Sequence, residues 1–115
     1  MDLYNYKARV IKVIDGDTVK LDIDLGFRVH WTSNCRIAGI NAPEVNTEEG
    51  KSSKTWLEGV LVPGDVIMIK SVKLDKYGRP IFDALVGNRD SNLSQQKGLF
   101  VLSEEILKAG HAVKY

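Results

Sequence analysis

A chain of 115 residues, 43% hydrophobic and 27% charged, has material for one small core and the composition of a folded globular protein, which argues against a disordered chain. Its 16 basic and 15 acidic residues leave a formal net charge of +1, so any polyanion must be met by a few placed cations rather than by a broad basic surface. A lone cysteine, Cys35, excludes an internal disulfide and a thiolate zinc cluster, and no apolar run approaches the ~20 residues of a membrane helix.

The opening MDLYNYKARV lacks the apolar stretch of a secretion signal, so a cytoplasmic location without a membrane partner is expected. Residues 8–14, ARVIKVI, are β-branched and partly alternating, which predicts a strand. Asp15-Gly16-Asp17 follows, and Asp-Gly between apolar runs predicts a tight hairpin. In residues 18–25, Val19, Leu21, Ile23 and Leu25 face one way and Lys20, Asp22 and Asp24 the other. Residues 27–31 continue or bulge that strand. Residues 35–40 form a third strand, in which Cys35 is a small buried apolar residue.

The period changes between Thr47 and Leu61, where Trp56, Leu57, Val60 and Leu61 recur at helical spacing until Pro63-Gly64. Gly50 and the two neighbouring serines weaken the start of this helix. Residues 65–72 predict a fourth strand, 75–80 a turn and 81–86 a fifth strand, followed by a polar loop over 87–98. Residues 103–110, SEEILKAG, predict a second helix, with acids in the first turn, lysine in the last and a closing glycine. Five strands with a helix after the third and another after the fifth predict an α+β, mainly β fold. This is a five-stranded Greek-key barrel of the OB type carrying two helices, one domain over residues 1–115.

Three places set ionisable groups beside turns. Asp15 and Asp17 flank Gly16, where carboxylates can point at a hard cation, although a hairpin turn uses the same residues. Arg36 stands in an apolar strand with Glu44 eight residues on, either a structural ion pair or an arginine aimed at an anion. Lys76, Tyr77 and Arg79 surround Gly78, as a phosphate clamp or as solvated charges on an exposed hairpin. One arrangement explains all three. A divalent cation held by Asp17 and the end of the third strand, flanked by Arg36 and Arg79, would bind a phosphodiester, with Glu44 near the attacking water.

The strings VIDGDTVKL (13–21), RIAGINAPE (36–44) and DKYGR (75–79), with KAGHA near the carboxyl end, resemble the staphylococcal nuclease (thermonuclease) family in order and spacing along nearly the whole chain. The resemblance implies an OB barrel and a calcium-dependent phosphodiesterase that cuts DNA and RNA to 3′-phosphorylated products. It implies calcium, or another divalent cation in its place, held by Asp17, Asn41 and the Ala42 backbone carbonyl, with Asp15 acting through water. Arg36, Arg79 and Glu44 would be catalytic, the arginines on the scissile phosphate and Glu44 as base. Lys76 and Tyr77 would touch a flanking phosphate, and Tyr115 would help frame a single-stranded or frayed DNA or RNA substrate bound by a monomer.

Two departures stand out. Asn41 occupies a position where the best-known member carries aspartate, so one negative charge is gone and calcium affinity is expected to fall by on the order of one or two decades. Tyr115 sits one residue out of the family's alignment. The contrasting expectation is a catalytically weak or inactive OB-fold module that binds nucleic acid or a protein; Arg36, Glu44, Arg79 and Asp17 are all retained, against that outcome. His30 and His111 are read as neither catalytic nor ligands, Trp31 and Trp56 as packing, and Gln95, Gln96 and Lys97 as solvated loop residues.

Overall fold

The computed structural model describes residues 5–86 and 100–114. Strands β1 (Asn5–Asp15), β2 (Thr18–Asp24) and β3 (His30–Ile37) form a meander. After it come β4 (Ile40–Asn41), α1 (Glu48–Val60), β5 (Val66–Leu74), β6 (Pro80–Val86), β7 (Phe100–Val101), α2 (Leu102–Lys108) and β8 (Val113–Lys114). β5 pairs antiparallel with β1, β6 antiparallel with β5, and β6 parallel with β3 through Arg36↔Ile81 and Ile37↔Phe82. That last pairing closes β1-β2-β3-β6-β5 into a barrel of the OB type.

Alternation builds the core. Val19, Leu21 and Ile23 of β2 point inward with Val10, Cys35, Ile37, Ile69 and Phe82, while their neighbours face out. Leu25 departs from the expected stripe and is 39% exposed, because β2 ends at Asp24 and the chain turns there. That turn holds Phe27 (φ 55) and Arg28 (φ 65) in left-handed conformations, fastened by Val29 N–H to the Gly26 carbonyl and Leu25 N–H to the Val29 carbonyl. The third strand begins at His30 and ends at Ile37, not at 35 and 40. Gly39 (φ 74) makes a turn that splits off Ile40–Asn41 as a separate short strand.

Helix α1 begins as a capped helix should. Thr47 Oγ1 accepts from the Gly50 amide at 3.0 Å and Glu48 and Glu49 occupy the first turn. It buries Gly50, Ser53 and Leu57 against the barrel, with Trp56 and Val60 packed at the edge of the core. Helix α2 buries Leu102 and Ile106, one turn apart, and packs against β6 and β7. Among the described residues no helix is long and apolar enough to cross a membrane.

Candidate functional site

The β1–β2 turn is the centre of the site. β1 ends at Asp15 and β2 starts at Thr18, which are register partners, so Gly16 and Asp17 form a two-residue loop. Asp17 is only 8% exposed, and its carboxylate is held from several sides. Thr18 Oγ1 donates to Oδ1 at 3.0 Å, the Ala42 amide donates to Oδ2 at 3.0 Å, and the Arg36 guanidinium lies 3.6 Å from Oδ2. Burial alone would raise the Asp17 carboxyl, but these bonds, a hydrogen bond from Asp15 and the charge on Arg36 outweigh it and hold it below the ordinary carboxylate value. Asp15 moves the other way. Burial and its hydrogen bond to the Asp17 carboxyl push it up to about 6, so the two acids share one proton in mildly acidic solution.

Arg36 faces out of the barrel because Cys35 and Ile37 on either side of it point in. Its register partners are Thr18 on β2 and Ile81 on β6, which places it where three strands meet. Nη2 donates to the Asn41 side-chain oxygen at 3.2 Å and to the Ile40 carbonyl at 3.3 Å. Oxygens of Asp17 and Asn41 therefore converge on one guanidinium nitrogen. A carboxylate beside Arg36 is that of Asp17, so the arginine takes part in an ion pair with the turn aspartate. The Ala42 amide is engaged by Asp17, while its carbonyl, the group expected to meet a cation, is a separate atom that this bond does not use.

Glu44 lies in the exposed turn before α1. Its backbone carbonyl accepts from Thr47 N at 3.0 Å and from Thr47 Oγ1 at 2.7 Å, so the helix cap fixes the glutamate's position in the chain and leaves its carboxylate free to meet solvent. The β5–β6 hairpin carries the second arginine. Asp75 Oδ1 accepts from the Tyr77 and Arg79 amides at 2.8 and 2.9 Å, and Oδ2 receives Arg79 Nε at 2.7 Å. Those bonds and the Arg79 charge overcome desolvation and lower the Asp75 carboxyl. Arg79 Cζ and Lys76 Nζ stand 5.7 and 5.2 Å from the centre of the Tyr77 ring, so the three side chains form one cationic group around an aromatic face. Arg79 precedes Ile81 by two residues, and Ile81 is the register partner of Arg36, so both arginines belong to the same end of the β3–β6 pairing.

Several supports were not legible beforehand. A Cβ on Gly16 would collide with Ser53 and with Ala42, and one on Gly50 would run into the Glu44 carbonyl. Both glycines are thus close approaches that seat α1 against the two loops of the site. Ser53 Oγ donates to the His111 carbonyl at 2.8 Å, and β8 pairs with β4 through Asn41↔Val113. The signal available in sequence was glycine itself, in a two-residue turn and inside a helical pattern. His111 packs its ring on Trp56, and His30 Nδ1 lies 3.2 Å from Asp22 Oδ1 on the neighbouring strand β2. Cys35 is buried, and its thiol is pushed up to about 11 by that burial, which leaves it inert. Tyr115, Gln95, Gln96 and Lys97 lie outside the described residues.

The arrangement is lined by oxygens of Asp17, Asn41 and Asp15. Among the described residues no group of three or more His, Cys, Asp and Glu side chains converges. Donors of the right kind for a hard cation are nonetheless present: an ionised Asp17, the Asn41 amide oxygen and Asp15 one turn away.

No protein-family model matches the chain. It is similar to the uncharacterized protein MJ1439 of Methanocaldococcus jannaschii, 26% identical over 136 aligned residues that take in 96% of this chain and 60% of that protein. The chain thus spans about three fifths of the length of this curated relative.

Proposed function

We propose that this protein is a phosphodiesterase that hydrolyses DNA or RNA with the help of a divalent cation, calcium first among the candidates. The observation that carries this reading is the convergence of Asp17 and Asn41 oxygens on the Arg36 guanidinium, beside the hairpin on which Asp75 orients Arg79. The resemblance of the three sequence strings to staphylococcal nucleases points the same way.

Asp17, Asn41 and the Ala42 carbonyl would hold the cation, with Asp15 acting through water. When bound, the cation supplies neutralising charge for the phosphate and a more acidic water. Arg36 and Arg79 grip the non-bridging oxygens and stabilise the charge that grows there. Glu44 takes the proton of the attacking water, and Lys76 and Tyr77 steady the flanking phosphate. A single-stranded or frayed substrate suits an exposed site on one end of a small barrel. A cytoplasmic setting, where a lone thiol such as Cys35 stays reduced, suits it too.

One observation favours a second reading, a nucleic-acid-binding or protein-binding module with little or no activity. Arg36 Nη2 occupies the point at which the two oxygens meet, and a cation there requires the guanidinium to swing toward the substrate. Purified protein incubated with single-stranded DNA across a calcium series up to millimolar levels separates the two, with Arg36→Ala and Glu44→Gln alongside. Cleavage that both substitutions abolish supports the enzyme. Cleavage that both leave untouched sinks the mechanism, and binding that survives EDTA without cleavage supports the module.

A further inference from the structure

We infer that a nucleobase of the substrate docks in a pocket beside the phosphate site, between α1 and the β4–β8 pair, and that Glu49 selects bases bearing an exocyclic amine. The substrate class rests on the phosphodiesterase reading above; the pocket and its chemistry do not. The pocket has a volume of about 370 Å³, within the range of small-molecule sites, and Asn41 is one of its walls. Because Asn41 also meets Arg36, a ligand that leaves a phosphate at the guanidinium has its next group delivered to this opening.

The walls are built rather than incidental. Val113 is the register partner of Asn41, and His111 is pinned twice, its amide to the Ile106 carbonyl at 3.2 Å and its carbonyl by Ser53 Oγ at 2.8 Å. The His111 ring is backed by Trp56 with centroids 5.5 Å apart, which offers a fixed aromatic surface to a planar ligand. Pro43 and Val113 supply apolar walls, while Glu49 and Ser52 supply polar groups one turn apart on α1. An ionised carboxylate accepts hydrogen bonds and donates none, so it pairs with the amino group of cytosine, adenine or guanine, where uracil presents a carbonyl and keeps only its ring N3–H as a donor.

Amide-resolved NMR titrations with free cytidine, free uridine and inorganic phosphate as separate probes test the inference. Cytidine is expected to shift Ser52 and Val113 and to bind about tenfold more tightly than uridine, while phosphate shifts Arg36 and Asn41 instead. Glu49→Gln is expected to remove the difference between the two nucleosides, and Ser52→Phe, on an exposed helix position, to abolish binding of both. Nucleosides that leave the pocket amides unmoved, or equal binding of cytidine and uridine to the unaltered protein, would overturn it. The two readings fail separately. Nucleoside binding with no cleavage of any DNA removes the phosphodiesterase and leaves the pocket, whereas equal cleavage of normal and abasic DNA removes the pocket and leaves the phosphodiesterase.

Discussion

The Arg36 guanidinium stands 3.6 Å from the Asp17 carboxylate across neighbouring strands, with the backbone partner of Arg36 being Thr18, the residue after that aspartate. One nitrogen, Nη2, serves both this carboxylate and Asn41. A lysine has no planar fork to divide between such partners and a phosphate. Arg36→Lys is therefore expected to lower kcat on single-stranded DNA by about 10²-fold or more while the melting temperature changes little. Steady-state kinetics beside a thermal melt checks it; unaltered kcat would remove Arg36 from the chemistry.

Asn41→Asp returns a negative charge to a point that already holds Asp17 and Arg36. Ligand charge tunes calcium affinity, so calcium should bind about ten- to a hundredfold more tightly. Calorimetric titration of the metal reads this directly, and an unchanged affinity would mean that residue 41 is not a ligand.

Asp75→Asn keeps an oxygen for the Tyr77 and Arg79 amides but loses the charge that orients the Arg79 side chain. The expected effect is a fall in kcat of about tenfold with the hairpin still formed, since misplaced groups act at a distance from the substitution. Lys76→Ala, which keeps that anchor, should raise KM more than it lowers kcat. Equal effects on both parameters in both variants would contradict the division of labour.

Without metal, stability should depend on Asp15. Its folded-state carboxyl is raised from 3.8 to about 6, so the folded protein holds a proton that the unfolded chain has released. The stabilisation is fully present below the unfolded value and is lost as pH rises through about 6. Its neighbour Asp17, lowered by its partners, contributes oppositely, and its share is lost as pH falls below the ordinary value. Denaturant titrations in EDTA should show stability declining by on the order of 1–2 kcal/mol between mildly acidic and neutral pH, allowing for solvent screening of a half-buried group. Asp15→Asn should flatten that decline; a slope that persists would place its origin elsewhere.

Three glycines of the same region should respond differently to alanine. Gly50→Ala drives a methyl into the Glu44 carbonyl, which is backbone and cannot step aside, so a loss of about 1–3 kcal/mol or more is expected. Gly16→Ala meets Ser53 and Ala42 and should cost a comparable amount. Gly59 sits in α1 with nothing within 4 Å of a would-be Cβ, and Gly59→Ala should stabilise by about 0.4–1 kcal/mol. Thermal melts of the three variants give the order at once.

The barrel was legible because its strands obey period two. Val19, Leu21 and Ile23 declare an inner face, and Asp-Gly declares the turn that joins β1 to β2. The first half of β3 was not, because His30, Trp31, Thr32 and Asn34 are exposed and supply no apolar alternation. β8 was invisible for a different reason: a two-residue strand has no period, and its pairing with Asn41 is a long-range choice that no local window contains. Arg36, Asp17 and Arg79 stood out as charges beside apolar strands and turns. The shared nitrogen between Asp17 and Asn41, and the role of Asp75 behind Arg79, are matters of ångströms, which residue types alone do not encode.

The pairing of Asn41 with Val113 also sets a timetable. On a ribosome the barrel strands emerge before the segment that fastens Asn41 does, so closure through β3 and β6 does not wait for the β4–β8 pairing, whereas the placing of Asn41 does. The position of Asn41 is thus completed from the far side of the sequence, by a strand that follows α2.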